Sequence, residues 1–180
     1  MTGITAIVDS TKSKIQVKRP KFYDVWFSYP RKMAAPEVYY LVGGQAFELY
    51  KGNPTGYANA CALRLSRAFN YGGVPLKQST AGYHVKGEDG KPYLLRVTDM
   101  IKFVEKNLGK ADLSLKPTNN QDLSSQLKGK QGIIIFKVTG WNNATGHVTL
   151  WNGYDCGDSC YFIHSNPNTT TNEILFWNLR

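Results

Sequence analysis

The sequence predicts an α+β protein, and three observations carry the prediction. Two stretches, around residues 61–70 and 99–108, place apolar residues at helical spacing and end in glycine. From Gly132 onward the period changes to short, strand-sized runs. Asn142-Asn143, Gly153 and Asn166-Pro167 then punctuate those runs as turns. Helices first and an antiparallel sheet after them is the α+β order.

Residues 1–20 are mixed polar and basic and read as a loose or edge segment. Lys21 to Tyr29 is rich in aromatics (Phe22, Trp26, Phe27) and Pro30 ends the run. Glu37 to Phe47 is apolar with a Gly43-Gly44 break, and its Val38–Val42 portion is strand-sized. Gly52 to Gly56 is a turn-rich loop that feeds the first clear helix. Asn59 is the expected N-cap, which makes Cys61 the second helical residue. Ala62, Leu63, Leu65 and Phe69 supply the buried face, and the helix stops near Gly72-Gly73 with Pro75 beyond. Residues 77–93 read as loop and hairpin. Thr98 or Asp99 caps a second helix that carries Ile101, Val104 and Leu108 and stops at Gly109. Residues 110–120 read as loop and Asp122 to Leu127 as a short helix. Strands follow at Gly132–Val138, His147–Trp151, Tyr161–Ser165 and Glu173–Trp177.

A chain of 180 residues is enough for one domain with a real core, so residues 1–180 are taken as a single domain. Hydrophobic residues make up 42% and no apolar run approaches the ~20 residues that span a membrane, which argues against membrane insertion. Met1 to Pro20 has no apolar core followed by a small-residue cleavage site, so no ordinary secretory signal is expected. The net charge is +9, from 22 basic and 13 acidic residues. The bases are scattered, with no long basic run and no nucleic-acid motif, so nucleic acid is not the expected partner. The same field would attract another acidic polymer, such as cell wall, or simply aid solubility.

The three cysteines divide into a pair and a single thiol. Cys156 and Cys160 flank Gly157-Asp158-Ser159, a spacing that permits a small disulfide ring. Metal binding is the alternative for the pair, but no second cysteine pair or histidine pair completes a tetrahedral site. Cys61 is left unpaired at the start of a helix, where the backbone offers about half a positive charge. A buried cysteine often just fills a core. A thiol becomes a nucleophile when an imidazole takes its proton, and His147, at the start of a predicted strand, is the candidate base. Such a base needs a third group to fix its tautomer. Asp158 suits that role if the chain turns back after Asn152-Gly153, with Asp155, Asn152 and His164 as competitors. His84 reads as a hydrogen-bonded wall residue.

A thiol on a helix followed by a histidine on a strand is the order of papain-like cysteine hydrolases. The stretch from Asn59 to Asn70, then Gly146-His147 and Leu150-Trp151-Asn152-Gly153, resembles the type VI secretion amidase effectors of family 4. These are NlpC-like cysteine peptidases with a papain-type core. The ring Cys156-Gly157-Asp158-Ser159-Cys160 is also similar to that family. The resemblance implies a nucleophile-bearing helix packed on an antiparallel sheet in a single catalytic domain. It implies Cys61 as nucleophile, His147 as general base and Asp158 as third member. His164 is kept as alternative third member, because many other NlpC-like enzymes use a histidine or polar residue on the following strand. The implied reaction is cleavage of the peptidoglycan peptide stem between D-glutamate and meso-diaminopimelate, with no metal or organic cofactor. The implied delivery is by a contractile apparatus into a rival's periplasm, without a signal peptide, with a cognate immunity protein protecting the producer.

Two other classes fit parts of the sequence. A basic, non-catalytic binding protein for cell wall or nucleic acid would tolerate loss of Cys61. A papain-like enzyme acting on a protein, such as a deamidase or transglutaminase, would share Cys61 and His147 but not need peptidoglycan.

Overall fold

The structure is a computed structural model that describes residues 3–8, 11–16, 19–78 and 82–179, the first two segments as backbone only. Within residues 1–20, strands β1 (Gly3–Val8) and β2 (Thr11–Gln16) pair antiparallel as a hairpin; the rest of the segment as far as residue 18 lies outside the described residues.

Three short helices follow: α1 (Phe22–Ser28), α2 (Ala35–Val42) and α3 (Gly44–Gly52). The strand-sized run Val38–Val42 is therefore helical. Its burial explains why: Val38, Tyr39 and Val42 are buried while Tyr40 and Leu41 face solvent, a period near 3.6 rather than 2. Pro36 in the first turn and the Glu37 carboxylate, which accepts the Ala34 backbone N–H, start the helix. The expected break at Gly43-Gly44 separates α2 from α3.

Helix α4 (Cys61–Tyr71) is the centre of the fold. It begins at Cys61 itself, with Ala60 at the cap position and no side-chain cap, so Asn59 is not the N-cap. The Asn59 carbonyl instead accepts a bond from the Tyr39 hydroxyl at 3.3 Å. The helix ends before Gly72, where the sequence expects it to end. Hairpin β3 (His84–Lys86) and β4 (Pro92–Leu94) matches the predicted loop-and-hairpin segment and runs one residue past its end; residues 79–81 of that segment lie outside the described residues. Polar side chains inside α4 hold it in place. Ser66 Oγ accepts the Leu94 N–H at 2.9 Å, and Asn70 Nδ2 donates to the Pro92 carbonyl at 2.9 Å. Helix α5 (Val97–Leu108) starts two to three residues earlier than a Thr98 or Asp99 cap would allow, behind Arg96, and stops at Gly109.

The main sheet has four antiparallel strands in the order β5 (Leu113–Leu115), β8 (Thr170–Asn178), β6 (Gly132–Thr139) and β7 (Gly146–Trp151). β5 lies inside a segment expected to be loop. Its three residues are too few to show a period, and pairing with β8 makes them a strand. Ser124–Leu127 forms one 3₁₀ turn within the predicted short helix. Tyr161–Ser165 is not a strand: the chain runs as bends, and Phe162, with Tyr161 against it, packs under the sheet without ladder pairing.

The two faces of β6 divide the core. Ile133 and Ile135 join Val148 and Leu150 against α1, α4 and α5. Ile134, Phe136 and Val138 join Ile174 and Phe176 against Leu123, Leu127, Trp151 and Phe162. β7 is the outer strand beside the helices, and α4 packs directly against it. That contact brings a helix start to a strand start.

Candidate active site

The thiol of Cys61 sits on the first residue of α4. The first intrahelical bond runs from the Arg64 N–H to the Ala60 carbonyl at 2.8 Å, so the Cys61 N–H precedes the helical ladder. Cys61 is 7% exposed and is the free cysteine among the described residues. The core-filling and the reactive readings thus meet at one place, because the side chain lies where the apolar cluster ends at polar neighbours.

His147 is the second residue of β7, opposite Phe136 in β6. Gly146 makes this pairing possible: a Cβ there would lie 2.3 Å from the Phe136 carbonyl oxygen. The His147 ring is 8% exposed. Its Nε2 lies 3.1 Å from Asp158 Oδ1, and Cys61 is close enough to favour its charged form. With Nε2 on the carboxylate, Nδ1 is the nitrogen left for the thiol. Burial works against a charged ring here. The Asp158 hydrogen bond and then Cys61 outweigh it, and the pKa is raised from 6.5 to about 9.

Asp158 reaches His147 because the chain turns back after β7. Gly153 takes a φ of 106°, which glycine adopts without strain. Asn152 Oδ1 accepts the N–H groups of Tyr154 and Asp155 at 2.9 and 2.8 Å. The return strand pairs briefly with the free edge of β7: Cys156 bridges to Trp151, and the Gly157 N–H donates to the Leu150 carbonyl at 2.7 Å. Cys156 and Cys160 are disulfide-bonded, so the carboxylate is carried on a closed ring. Burial pushes the Asp158 pKa up, but His147, Thr149 and the Ser159 N–H hold it below the ordinary carboxylate value.

The competing third members lie elsewhere. Asn152 and Asp155 direct their side chains to backbone N–H groups of the turn. His164 donates or accepts at Thr171 Oγ1, 2.8 Å away, and brackets Asn120 with its own backbone. The Tyr161 ring stands between the two histidines, 4.9 Å from His147 and 5.9 Å from His164, centroid to centroid. Burial lowers the pKa of His164. His84 Nδ1 faces the Gly82 carbonyl at 2.9 Å, as a wall residue would.

Three site neighbours escape a reading of the sequence. Arg64, one turn along α4 from Cys61, is 6% exposed and ion-pairs with Asp158 Oδ2 at 3.6 Å. Thr149, two residues beyond His147, lies beside Asp158 and helps to hold its pKa down. The Tyr29 hydroxyl lies 3.2 Å from Thr149 Oγ1. The signal available for Arg64 is its spacing: i+3 from Cys61 puts both on one helix face.

A helix-borne thiol against an antiparallel sheet, beside a strand-borne histidine, is the layout of NlpC-like proteins with a papain-type core, and this is the class of the fold. Residues 57–177 match the family described as type VI secretion system (T6SS), amidase effector protein 4, and the chain belongs to that family. The chain is similar to the type VI effector Tae4 from Enterobacter cloacae, at 39% identity and a TM-score of 0.79 over 92% of this chain and 100% of that one. It is also similar to Tae4 from Salmonella typhimurium, solved in complex with the immunity protein Tai4 from Enterobacter cloacae, at 34% identity and a TM-score of 0.79 over 90% and 100% of the two chains. No match is found among curated proteins. The family is one of amidase effectors, hence of hydrolases deployed as toxins by type VI secretion. No helix among the described residues is long and apolar enough to cross a membrane.

Proposed function

We propose that this chain is a single catalytic domain that hydrolyses the peptidoglycan peptide stem between D-glutamate and meso-diaminopimelate by a Cys61–His147–Asp158 mechanism. The observation that carries the proposal is the two-sided environment of His147, with the carboxylate of Asp158 on one nitrogen and the thiol of Cys61 as its other partner. His147 accepts the thiol proton, and Asp158 holds the resulting imidazolium. The thiolate attacks the carbonyl carbon of the D-glutamyl side-chain amide. The Cys61 N–H, free of the helical ladder, donates to the developing oxyanion, an interaction worth ~3 kcal/mol when well aligned. The imidazolium then gives its proton to the leaving amine of diaminopimelate. Water hydrolyses the thioester, with His147 as base again, and the free thiol returns. Apart from the hydrolytic water, the catalytic groups in these steps all come from the protein.

Membership of the effector family and the net charge of +9 support a wall substrate, since the peptide stem carries carboxylates. The same membership supports delivery by type VI secretion to the periplasm of a target cell. The solved complexes of similar effectors with Tai4 support a cognate immunity protein as partner. Purified protein incubated with Gram-negative peptidoglycan should release fragments cut at the D-glutamyl–diaminopimelate bond, read by mass spectrometry. A different cleaved bond, or none while a protein amide is hydrolysed, overturns the substrate assignment.

A further inference from the structure

We propose that Arg64 is a positioning residue of the active site: its guanidinium, on the same helix face as Cys61, grips Asp158 Oδ2 and so leaves Oδ1 aimed at His147. This inference rests on the reading of Cys61, His147 and Asp158 as the catalytic groups.

Arg64 is a buried cation, and a buried cation needs partners for its charge and its donors. It has three. Nη1 donates to the Pro30 carbonyl and Nη2 to the Met33 carbonyl, each at 2.5 Å. Nε faces Asp158 at 3.6 Å, with the two side chains only 8% and 14% exposed. The two carbonyls fix the plane of the guanidinium, so the position of Nε is set by the segment between α1 and α2. A fixed Nε in turn gives one carboxylate oxygen of Asp158 a set partner while the other faces His147 Nε2.

The groups facing Asp158 come from every element around it. His147 and Thr149 come from β7, and Arg64 comes from α4. The Ser159 N–H comes from its own ring, and the Tyr29 hydroxyl touches Thr149 from the end of α1. Arg64 is the permanent charge in this set, because His147 is charged only while it holds the proton. Without Arg64, the buried carboxylate loses a cation that stays charged at every working pH. Lysine cannot replace the fork, since one ammonium does not span two carbonyls and a carboxylate in a plane.

The test compares kcat and KM across pH for the wild type, Arg64→Gln and Arg64→Lys, with Cys61→Ala as the blank. Arg64→Gln should lower kcat by about tenfold or more with little change in KM, as expected for a misaimed catalytic group. Its acid limb should move up by about one pH unit, because the buried carboxylate protonates sooner. Arg64→Lys should keep the acid limb and lose rate. The Asp158 carboxyl titration, followed by ¹³C NMR without substrate, should show the same upward displacement in Arg64→Gln. A folded Arg64→Gln protein with an unmoved acid limb and an unmoved Asp158 titration overturns the proposal, whatever its rate. Should Arg64→Gln fail to fold, wild-type kcat in Arg64→Lys overturns it instead. Residual turnover in folded Cys61→Ala would indict the catalytic assignment, and the substrate-free titration distinguishes the two failures.

Discussion

Replacing Asp158 by asparagine should pull the alkaline edge of activity down from about pH 9 toward neutrality. The magnitude follows from His147. Its pKa rises from 6.5 to about 9, a difference of about 2.5 units, or about 3 kcal/mol of preference for the imidazolium at 1.36 kcal/mol per unit. That preference is a net result. Burial opposes it, Asp158 is the largest favourable partner, and Cys61 adds to it. An asparagine keeps an acceptor but not the charge, so burial regains part of the ground. A descent of about one to two units, roughly 1.4–2.7 kcal/mol, is the expected size. In the proposed mechanism the imidazolium is the proton donor to the leaving amine, so kcat should fall by about 10²–10⁴ as well. Stability gives an independent reading of the same quantity. A raised histidine stabilises the fold fully below its unfolded value of 6.5 and loses that contribution as pH rises through about 9. The Tm gap between wild type and Asp158→Asn should therefore be widest below pH 6.5, while Asp158 is ionised, and narrowest above pH 9. The assay is hydrolysis of a defined stem peptide from pH 5 to 10, with melting curves on the same samples. A folded Asp158→Asn protein whose alkaline edge stays near pH 9 refutes the assignment of Asp158 as the group that holds the imidazolium.

Other expectations can be checked on the same protein. Cys61→Ala and His147→Ala should each abolish hydrolysis with the fold intact, and the double variant should be no worse than either, since the two act as a unit; near-normal turnover in folded Cys61→Ala would falsify the cysteine mechanism. Asp155→Asn and His164→Ala should cost far less rate than Asp158→Asn, and a greater loss in His164→Ala would mean that the third member is misassigned. The paired Cys156→Ser/Cys160→Ser change should lower Tm modestly, since so short a ring contributes only about 2 kcal/mol of chain entropy. Activity should fall further than stability, and thiol counting on unreduced, denatured protein should find one free thiol. Leu65→Ala, which empties a fully buried site under α4, should destabilise by about 3 kcal/mol in urea melts while leaving the residual kcat per folded molecule intact.

How much of this was legible in the sequence depends on how local each signal is. The stop at Gly72, the strands β6, β7 and β8, and the turn at Asn152-Gly153 are written in neighbouring residues and were readable. The run Val38–Val42 misled because five apolar residues in a row fit a buried strand and a buried helix alike, and only its neighbours decide. Tyr161–Ser165 misled for the converse reason. Its alternation is real, with Phe162 buried and Ile163 exposed, but the ladder positions beside β7 are taken by the Cys156–Gly157 return. At the site, Cys61, His147 and Asp158 were candidates because each stands at a punctuated place: a helix start, a Gly-His strand start, a two-cysteine ring. Arg64, Thr149 and Tyr29 stand in the middle or at the end of ordinary elements, and their roles exist only once α1, α4 and β7 meet.

That meeting gives the aromatic run before Pro30 its place in the site. A carboxylate on a loop is a poor partner for a histidine unless the loop is held to a fraction of an ångström. The ring of Cys156–Cys160 closes the loop but does not by itself place it. Two further restraints do. The Gly157 N–H is bound to the edge of β7, and the Gly157 backbone rests on aromatic rings of α1's carboxyl end: a Cβ there would lie 2.9 Å from Tyr29 Cε1 and 3.4 Å from Trp26 Cζ3. Tyr29 then bonds Thr149, and the next residues, Pro30 and Met33, receive the guanidinium of Arg64. The segment from Trp26 to Met33 thus touches the loop bearing Asp158, the strand bearing His147 and the helix bearing Cys61. A Gly157→Ala change adds one methyl against Tyr29 without touching any catalytic atom. It should lower kcat by about tenfold with Tm changed by only a few degrees. Stem-peptide kinetics beside a melting curve decide the point: equal kcat in Gly157→Ala and wild type would show that the packing of Gly157 on Tyr29 and Trp26 does not place Asp158.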